Sequence, residues 1–290
     1  MPLHSSDCCR RWNKLLEFEQ EGGTKVKYKV TAINTATLRV QKAAITSGSG
    51  FGREIDIPVF TAAVEGNGFK MLIDTGVRNH DLWNARIHPV WRSETEELER
   101  GLAEIGWKTS DIDFVINSHL HYDHAENNIL FPNAQFVVQR REWEYAHNPV
   151  PSQKILYDFE WTSEEIGYMN YTLIAPDEYD FMPGLRLIQT PGHTPGHQSI
   201  LLNTDEGVLC VAGDAACLFE CFRGPVAPGG TSIEQGFDSL EKIRRTADRV
   251  LMAHDPNLLQ FQSNNFPLIP EVGGQPFPGE IESLAELQER

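Results

Sequence analysis

The sequence predicts an α/β protein in two halves, each alternating short strands with helices. Three observations carry that class. β-Branched and aromatic runs of strand length recur between turn residues. Two segments open with the serine and acid-or-amide spacing of a helix capping box. Histidines or aspartates stand directly after four apolar runs, where a strand end would present them.

In order, Val26 to Ile33, Pro58 to Val64 and Phe69 to Asp74 are the expected first strands. Ser93-Glu94-Thr95-Glu96 opens a helix, with Leu98, Leu102 and Ile105 following at helical spacing. Phe114 to Asn117 is a strand, Ala134 to Gln139 another, and Arg141 to Ala146 a helix. Asn148 to Asp180 is a less regular stretch. In the second half strands end at Thr190, Leu202, Gly213 and His254, and Ser232-Ile233-Glu234-Gln235 starts the last helix. Gly48-Ser49-Gly50-Phe51-Gly52 lacks the lysine and spacing of a phosphate loop, and an extended run follows it, so it reads as a flexible loop over the site. No whole repeat is visible. Residues 1–24 form an expected N-terminal arm, 25–269 one domain and 270–290 a C-terminal tail, both ends being polar and aperiodic.

Composition excludes more than it selects. With 290 residues and 40% apolar content the chain can bury a real core. No apolar run approaches the roughly 20 residues of a membrane helix, and no apolar stretch follows the N-terminal charges as a secretory signal requires. Five cysteines, including adjacent Cys8 and Cys9, make no disulfide framework, so a reducing compartment, the cytoplasm, is expected. A net charge of −16 argues against a nucleic-acid partner, which would need clustered Lys and Arg. No membrane partner is expected, and a homodimer is compatible with the sequence.

The chemistry is concentrated in Ser118-His119-Leu120-His121-Tyr122-Asp123-His124. If Phe114 to Asn117 is a strand, His119 and His121, two apart, converge on one point at its end. Asp123 and His124 sit about a turn further on, facing a second point. Imidazole nitrogens and carboxylate oxygens are the ligands of an exchangeable zinc site. Downstream, His193 follows Leu185 to Ile188, Asp214 follows Val208 to Ala212, and His254 follows Val250 to Ala253. Seven such groups suit two adjacent metals with one shared carboxylate.

The order H-x-H-x-D-H … H … D … H resembles the metallo-β-lactamase superfamily. What the resemblance implies is a four-layer αββα sandwich, two mixed sheets with helices on the outer faces. It implies a first metal on His119, His121 and His193, a second on Asp123, His124 and His254, and Asp214 as the bridge. Leu72-Ile73-Asp74-Thr75-Gly76 matches a turn under the site, with Asp74 a hydrogen-bond partner for a ligand histidine. His197 is expected to be structural, since the ligand set is complete without it.

Around these blocks, residues 55–257 resemble the N-acyl-homoserine lactonase branch, through Ala125-Glu126-Asn127-Asn128, Phe136 to Glu144, Thr190 to Ser199, Asp214-Ala215-Ala216 and His254-Asp255. The implied activity is opening of a lactone ester ring, an N-acyl-homoserine lactone or related γ-lactone, by hydroxide generated on two Zn²⁺. Asp123 would be the catalytic acid/base. No G-x-S-x-G elbow competes as a nucleophile. One departure stands out. These lactonases carry a tyrosine three residues after the bridging aspartate, and here that residue is Cys217, a shorter and weaker donor. Cys217 is expected to face the substrate, with Phe219 and Phe222 walling an acyl pocket. Two rival activities share the motif. A glyoxalase-II-like thioesterase needs a basic patch that Pro256 to Arg290 lacks, and a mononuclear-iron thiol or persulfide oxygenase would leave His124 and His254 idle.

Overall fold

The structure, a computed structural model, describes residues 26–157, 169–224, 226–261 and 265–273. The expected arm 1–24, with Cys8 and Cys9, and all but the first residues of the expected tail lie outside them.

Fourteen strands form two mixed sheets and one small ribbon among the described residues. In the first sheet β5 (Val90–Trp91), β1 (Lys29–Gln41), β3 (Glu54–Gly66) and β4 (Phe69–Ile73) run antiparallel in that order. β6 (Phe114–Ile116), β7 (Gln135–Gln139) and β8 (Asn170–Ile174) continue from β4 in parallel. The second sheet runs β14 (Arg249–Met252), β12 (Gly207–Gly213), β11 (Gln198–Thr204), β10 (Leu185–Gln189), β9 (Glu178–Met182). Only its β12–β14 pair is parallel. The ribbon pairs β2 (Thr46–Ser47) with β13 (Ala227–Pro228).

Strand alternation assigns the layers. Met71, Ile73, Phe114, Ile116 and Val137 of the first sheet share one buried cluster with Leu187, Ile200, Leu202, Leu209, Val211 and Val250 of the second. Their neighbours Leu72, Val115 and Phe136 point the other way, beneath Leu98 and Leu102 of a helix spanning Leu98–Glu104. This is the period-two logic of a sheet buried on both faces. The helices are α1 (His80–Arg86), α2 (Leu98–Glu104), α3 (Tyr122–Ala125), α4 (Arg140–His147), α5 (Glu220–Arg223) and α6 (Ile233–Thr246), with a further single turn at Lys42–Ile45. None is long and apolar enough to cross a membrane. The architecture is the αββα sandwich.

Several boundaries differ from the expectation for physical reasons. β1 runs on to Gln41 because a bulge at Asn34–Thr37 lets polar side chains stay in register: Asn34 Oδ1 accepts the Val59 amide and the Thr35 hydroxyl donates to the Val59 carbonyl. Ser93 and Glu96 do form a capping box, but it closes only one 3₁₀ turn before α2 starts separately at Leu98. Ser232 caps α6 through the Gln235 amide alone. β8 and β9 lie in the less regular stretch, and α1 and α5 are too short to show a period. The glycine loop at 48–52 is tied down at its root, where the Ser49 hydroxyl donates to Glu220 and Lys42 pairs with the same carboxylate.

β4 and β6 are parallel, and β10, β12 and β14 share one direction, because β11 is antiparallel to both β10 and β12. Asp74, the histidine loop, His193, Asp214 and His254 all follow the carboxyl ends of these strands, so topology alone gathers them. Asp74 takes a left-handed backbone, φ 60°, and Gly76 follows at φ 76°. A Cβ on Gly76 would stand 2.1 Å from Thr35 Oγ1. Gly76→Ala should therefore cost about 2 kcal/mol or more. The check is a lower urea midpoint at unchanged slope.

Candidate metal centre

Past β6, Asn117 and Ser118 carry the chain over the sheet edge to His119 and His121. The single turn α3 follows, its His124 and Ala125 amides both donating to the His121 carbonyl. That turn swings Asp123 and His124 to a second focus. His119 Nε2 and His193 Nε2 each lie 3.0 Å from His121 Nδ1. Asp123 Oδ2 lies 3.6 Å from His254 Nε2 and 3.8 Å from His124 Nε2. The Asp214 carboxylate spans the two triads. Its Oδ2 is 3.3 Å from His193 Nε2, and its Oδ1 is 3.1 Å from His254 Nε2 and 3.4 Å from His124 Nε2.

The far nitrogen of every ring is committed elsewhere. His124 Nδ1 donates to Asp74 Oδ2 at 2.8 Å, His193 Nδ1 to the Gly229 carbonyl at 2.7 Å, and His254 Nδ1 to the Pro58 carbonyl at 2.9 Å. His121 Nε2 donates to Gln153 Oε1 at 2.9 Å. The Ser118 hydroxyl donates to Asp74 Oδ2, so its oxygen accepts from His119 Nδ1 at 3.0 Å. Five rings thus turn lone pairs toward the middle, which fixes the tautomer a metal ligand needs. Lone pairs 3.0 Å apart repel unless a cation lies between them. His124 Nε2 and Asp214 Oδ1 are buried without any hydrogen-bond partner. The donor set fits two divalent ions.

Electrostatics agree. Burial, with neighbouring imidazoles adding to it, pushes His119 and His121 well below the ordinary histidine value, so both are neutral donors at pH 7. Burial raises the Asp214 carboxyl, but His254, His124 and His193 outweigh it and hold it well below the usual range. At His124 and His254 burial lowers the pKa, yet Asp214 and Asp123 raise it further, and the net shift is upward. Protons compete with metal at these two rings, so the second triad should lose metal first as pH falls.

The family model for the metallo-β-lactamase superfamily matches residues 56–254. The chain belongs to that superfamily. A curated relative, an N-acyl homoserine lactonase of a Bacillus species, is 32% identical over 219 residues, covering 70% of this chain and 84% of the relative. The AttM lactonase of Rhizobium radiobacter is 29% identical over 255 residues, 81% of this chain and 95% of its own. A Bacillus thuringiensis AiiA variant with N-decanoyl-L-homoserine bound at its active site matches with a TM-score of 0.69 at 26% identity, over 82% of this chain and 96% of that one. These relatives put the chain on the lactonase branch of the superfamily.

Around these seven side chains lies a shell that the sequence only partly marks. Asp74 also accepts the Ser118 amide at 2.7 Å, so one carboxylate orients both the His124 ring and the loop that carries His119 and His121. His197 sits behind the centre, accepting the Asp214 amide at 3.0 Å while its Nδ1 meets the Thr190 hydroxyl at 2.8 Å. Burial lowers its pKa to about 3. Sequence reasoning gave Glu142 and Gln153 no role. Glu142, fully buried, accepts the Leu120 amide, the Tyr157 hydroxyl and the Thr194 hydroxyl, joining the loops of His119 and His193. Gly196 makes that junction close, for a Cβ there would lie 2.0 Å from the Glu142 amide nitrogen. The signal available was an acid four residues before Ala146, the two sharing the buried face of α4.

Three expected substrate contacts are placed elsewhere. Cys217 is fully buried in a cluster with Leu38, Tyr122 and Leu218, its thiol 3.9 Å from the Asp214 carbonyl and its pKa raised by burial. Phe219 and Phe222 have no exposed surface and belong to the inter-sheet core. The chain after Asp214 turns inward, because the Phe219 amide is held by Asp255 at 2.7 Å. Phe222→Ala should accordingly cost about 3–5 kcal/mol of stability, read as a fall in the urea midpoint. Asp74→Asn should weaken metal binding at the second triad about 10- to 100-fold, measured by competition with a chelating dye.

Proposed function

We propose that this protein is a dinuclear zinc hydrolase that opens the ring of a lactone, an N-acyl-homoserine lactone or a related γ-lactone. The Asp214 carboxylate between two triads of inward-facing donors carries the reading, in a chain whose curated relatives are N-acyl homoserine lactonases. The all-nitrogen-and-oxygen donor set suits zinc. Two such ions supply Lewis acidity, lowering the pKa of water and polarising the ester carbonyl.

The side chains do the rest. Among the acidic ligands Asp123 is the more accessible, 9% against 4% for Asp214, and so the better placed to exchange a proton with bound substrate. Water adds its oxygen to the lactone carbonyl carbon and Asp123 takes the proton released. The ring C–O bond then breaks, and Asp123 returns that proton to the leaving alkoxide. The product is a hydroxy acid, which ionises and releases one proton to solvent.

Gln153, Gly229 and Pro58 hold the ligand rings so that none need reorient during turnover. The net charge of −16 supports a small-molecule substrate over a polyanion. Cys210, Cys217 and Cys221 are buried free thiols, which supports a reducing cytoplasmic location.

Protein reconstituted with excess zinc should carry about two metal ions per chain and release acid from N-acyl-homoserine lactones. Chelation should abolish that activity. One ion at most, or no lactone hydrolysis by the fully metallated protein, would overturn the reading. Asp123→Asn should lower kcat by about 10²- to 10⁴-fold. Its metal content must be assayed alongside, since Asp123 is itself a ligand.

A further inference from the structure

Tyr122 stands between two ligands in the chain, yet its side chain leaves the metal centre. The ring is buried and stacked on Trp83 of α1 with centroids 4.0 Å apart. Its hydroxyl meets His88 Nε2 at 2.9 Å. Trp83 is itself fixed, its indole N–H donating to Glu126 at 2.9 Å. His88 therefore has one nitrogen pinned by a rigid partner rooted in the metal loop.

The backbone on either side of His88 is anchored as well. The Ile87 amide donates to the Trp83 carbonyl, the Pro89 carbonyl accepts the Arg39 amide, and the Val90 amide donates to Asn84 Oδ1. His88 is thus held at the apex of a short, fixed connection between α1 and β5, and it is only half-buried. With the Tyr122 hydroxyl donating to Nε2, Nδ1 carries the proton. Its internal contacts are with backbone carbonyls only, a long 3.4 Å approach to the adjacent Pro89 and one to His88 itself, and both are weak enough to yield to a better acceptor. Burial lowers the pKa of the ring and keeps it neutral, while Asp123 and His254, both of the second triad, lie close enough to act on it electrostatically.

We infer that His88 is a specificity-determining residue that donates a hydrogen bond from Nδ1 to a carbonyl oxygen in the acyl arm of the substrate, with Tyr122 setting the ring's tautomer and angle. The inference rests on the lactonase reading and deepens it. A partly exposed imidazole beside the second triad selects ring substrates whose side arm carries an oxygen acceptor over those with a plain alkyl arm. The acceptor that an N-acyl-homoserine lactone offers next to its ring is the amide carbonyl.

The test compares N-hexanoyl-homoserine lactone with an alkyl γ-lactone of matched length, using the zinc-loaded protein and its His88→Phe, His88→Gln and Tyr122→Phe variants, each assayed for metal. His88→Phe should raise KM for the acyl-homoserine lactone about tenfold, the effect of one hydrogen bond, and narrow its advantage over the alkyl lactone by the same factor. His88→Gln, which keeps a donor, should recover most of the loss. Tyr122→Phe should shift the same ratio in the same direction, because it frees the ring. An equal loss on both lactones at full metal content would make His88 structural and overturn the inference. So would an unchanged substrate ratio in His88→Phe. Wild-type protein that binds two metals and opens neither lactone overturns the lactonase reading and this inference with it.

Discussion

Five imidazole rings and two carboxylates converge on one centre, and protons on His124 and His254 beside Asp214 and Asp123 offset only the second triad, leaving His119, His121 and His193 facing one another at 3.0 Å contacts. A single buried polar atom without a partner costs about 1–3 kcal/mol. Here His124 Nε2 and Asp214 Oδ1 are both such atoms. The outward hydrogen bonds from the far ring nitrogens prevent the rings from turning to relieve the repulsion. The centre is thus built for charge that comes from outside the chain, and the surrounding architecture holds it open against its own electrostatics.

Holding it open requires both sheets. His119, His121, Asp123 and His124 hang from the first sheet, and His193, Asp214 and His254 from the second. The inter-sheet core of Ile73, Ile116, Leu187, Ile200 and Val211 therefore sets ligand spacing as well as stability. Cross-sheet bonds lock the two edges. The Gln198 amide donates to the Ser118 carbonyl at 2.9 Å, the Gln198 side chain to the Asn117 carbonyl at 2.8 Å, and the Phe60 amide to the Ala253 carbonyl at 3.0 Å. Glu142 adds a buried carboxylate between the His119 and His193 loops. A slip of one sheet against the other would separate the triads before it exposed much apolar surface, so site geometry is the more sensitive reporter of packing.

Much of this was legible in the sequence, and the reason is periodicity. A ligand placed at the end of a strand needs an apolar run before it, and the runs before His119, His193, Asp214 and His254 are each visible. Asp74 was legible because the turn it occupies has a recognisable pattern, and its left-handed backbone is tolerated where three short hydrogen bonds hold the carboxylate. Where the structure differs from the sequence expectation, the causes are separate. Cys217, Phe219 and Phe222 were read by their distance along the chain from Asp214, but which way a loop turns depends on a remote anchor, here Asp255 on the Phe219 amide. β8 and β9 do alternate, Asn170-Tyr171-Thr172-Leu173 and Glu178-Tyr179-Asp180-Phe181, but each is an edge strand of only five residues, too short for its pattern to stand out from the irregular stretch before it. The roles of Glu142 and Gln153 are purely tertiary, joining segments that no local pattern relates.

The division between legible and hidden residues follows a division of labour in the fold. Most of the candidate metal ligands stand just past strand ends, whose positions are fixed by register. The residues around them come from connections, whose course each chain sets through its own side chains. The turn α3 joins the two kinds: Asp123 and His124 face the candidate metal centre, while Tyr122 faces Trp83 and His88. A substitution at 122 therefore alters the wall beside the centre without changing a ligand, and a substitution in the α1–β5 connection acts on the centre through that same ring. With Cys217 and the two phenylalanines buried in the core, the polar group proposed for this wall, His88, comes from the α1–β5 side. Strand ends thus gather the candidate ligands, and the side chains that surround them come from connections that the strand pattern does not encode.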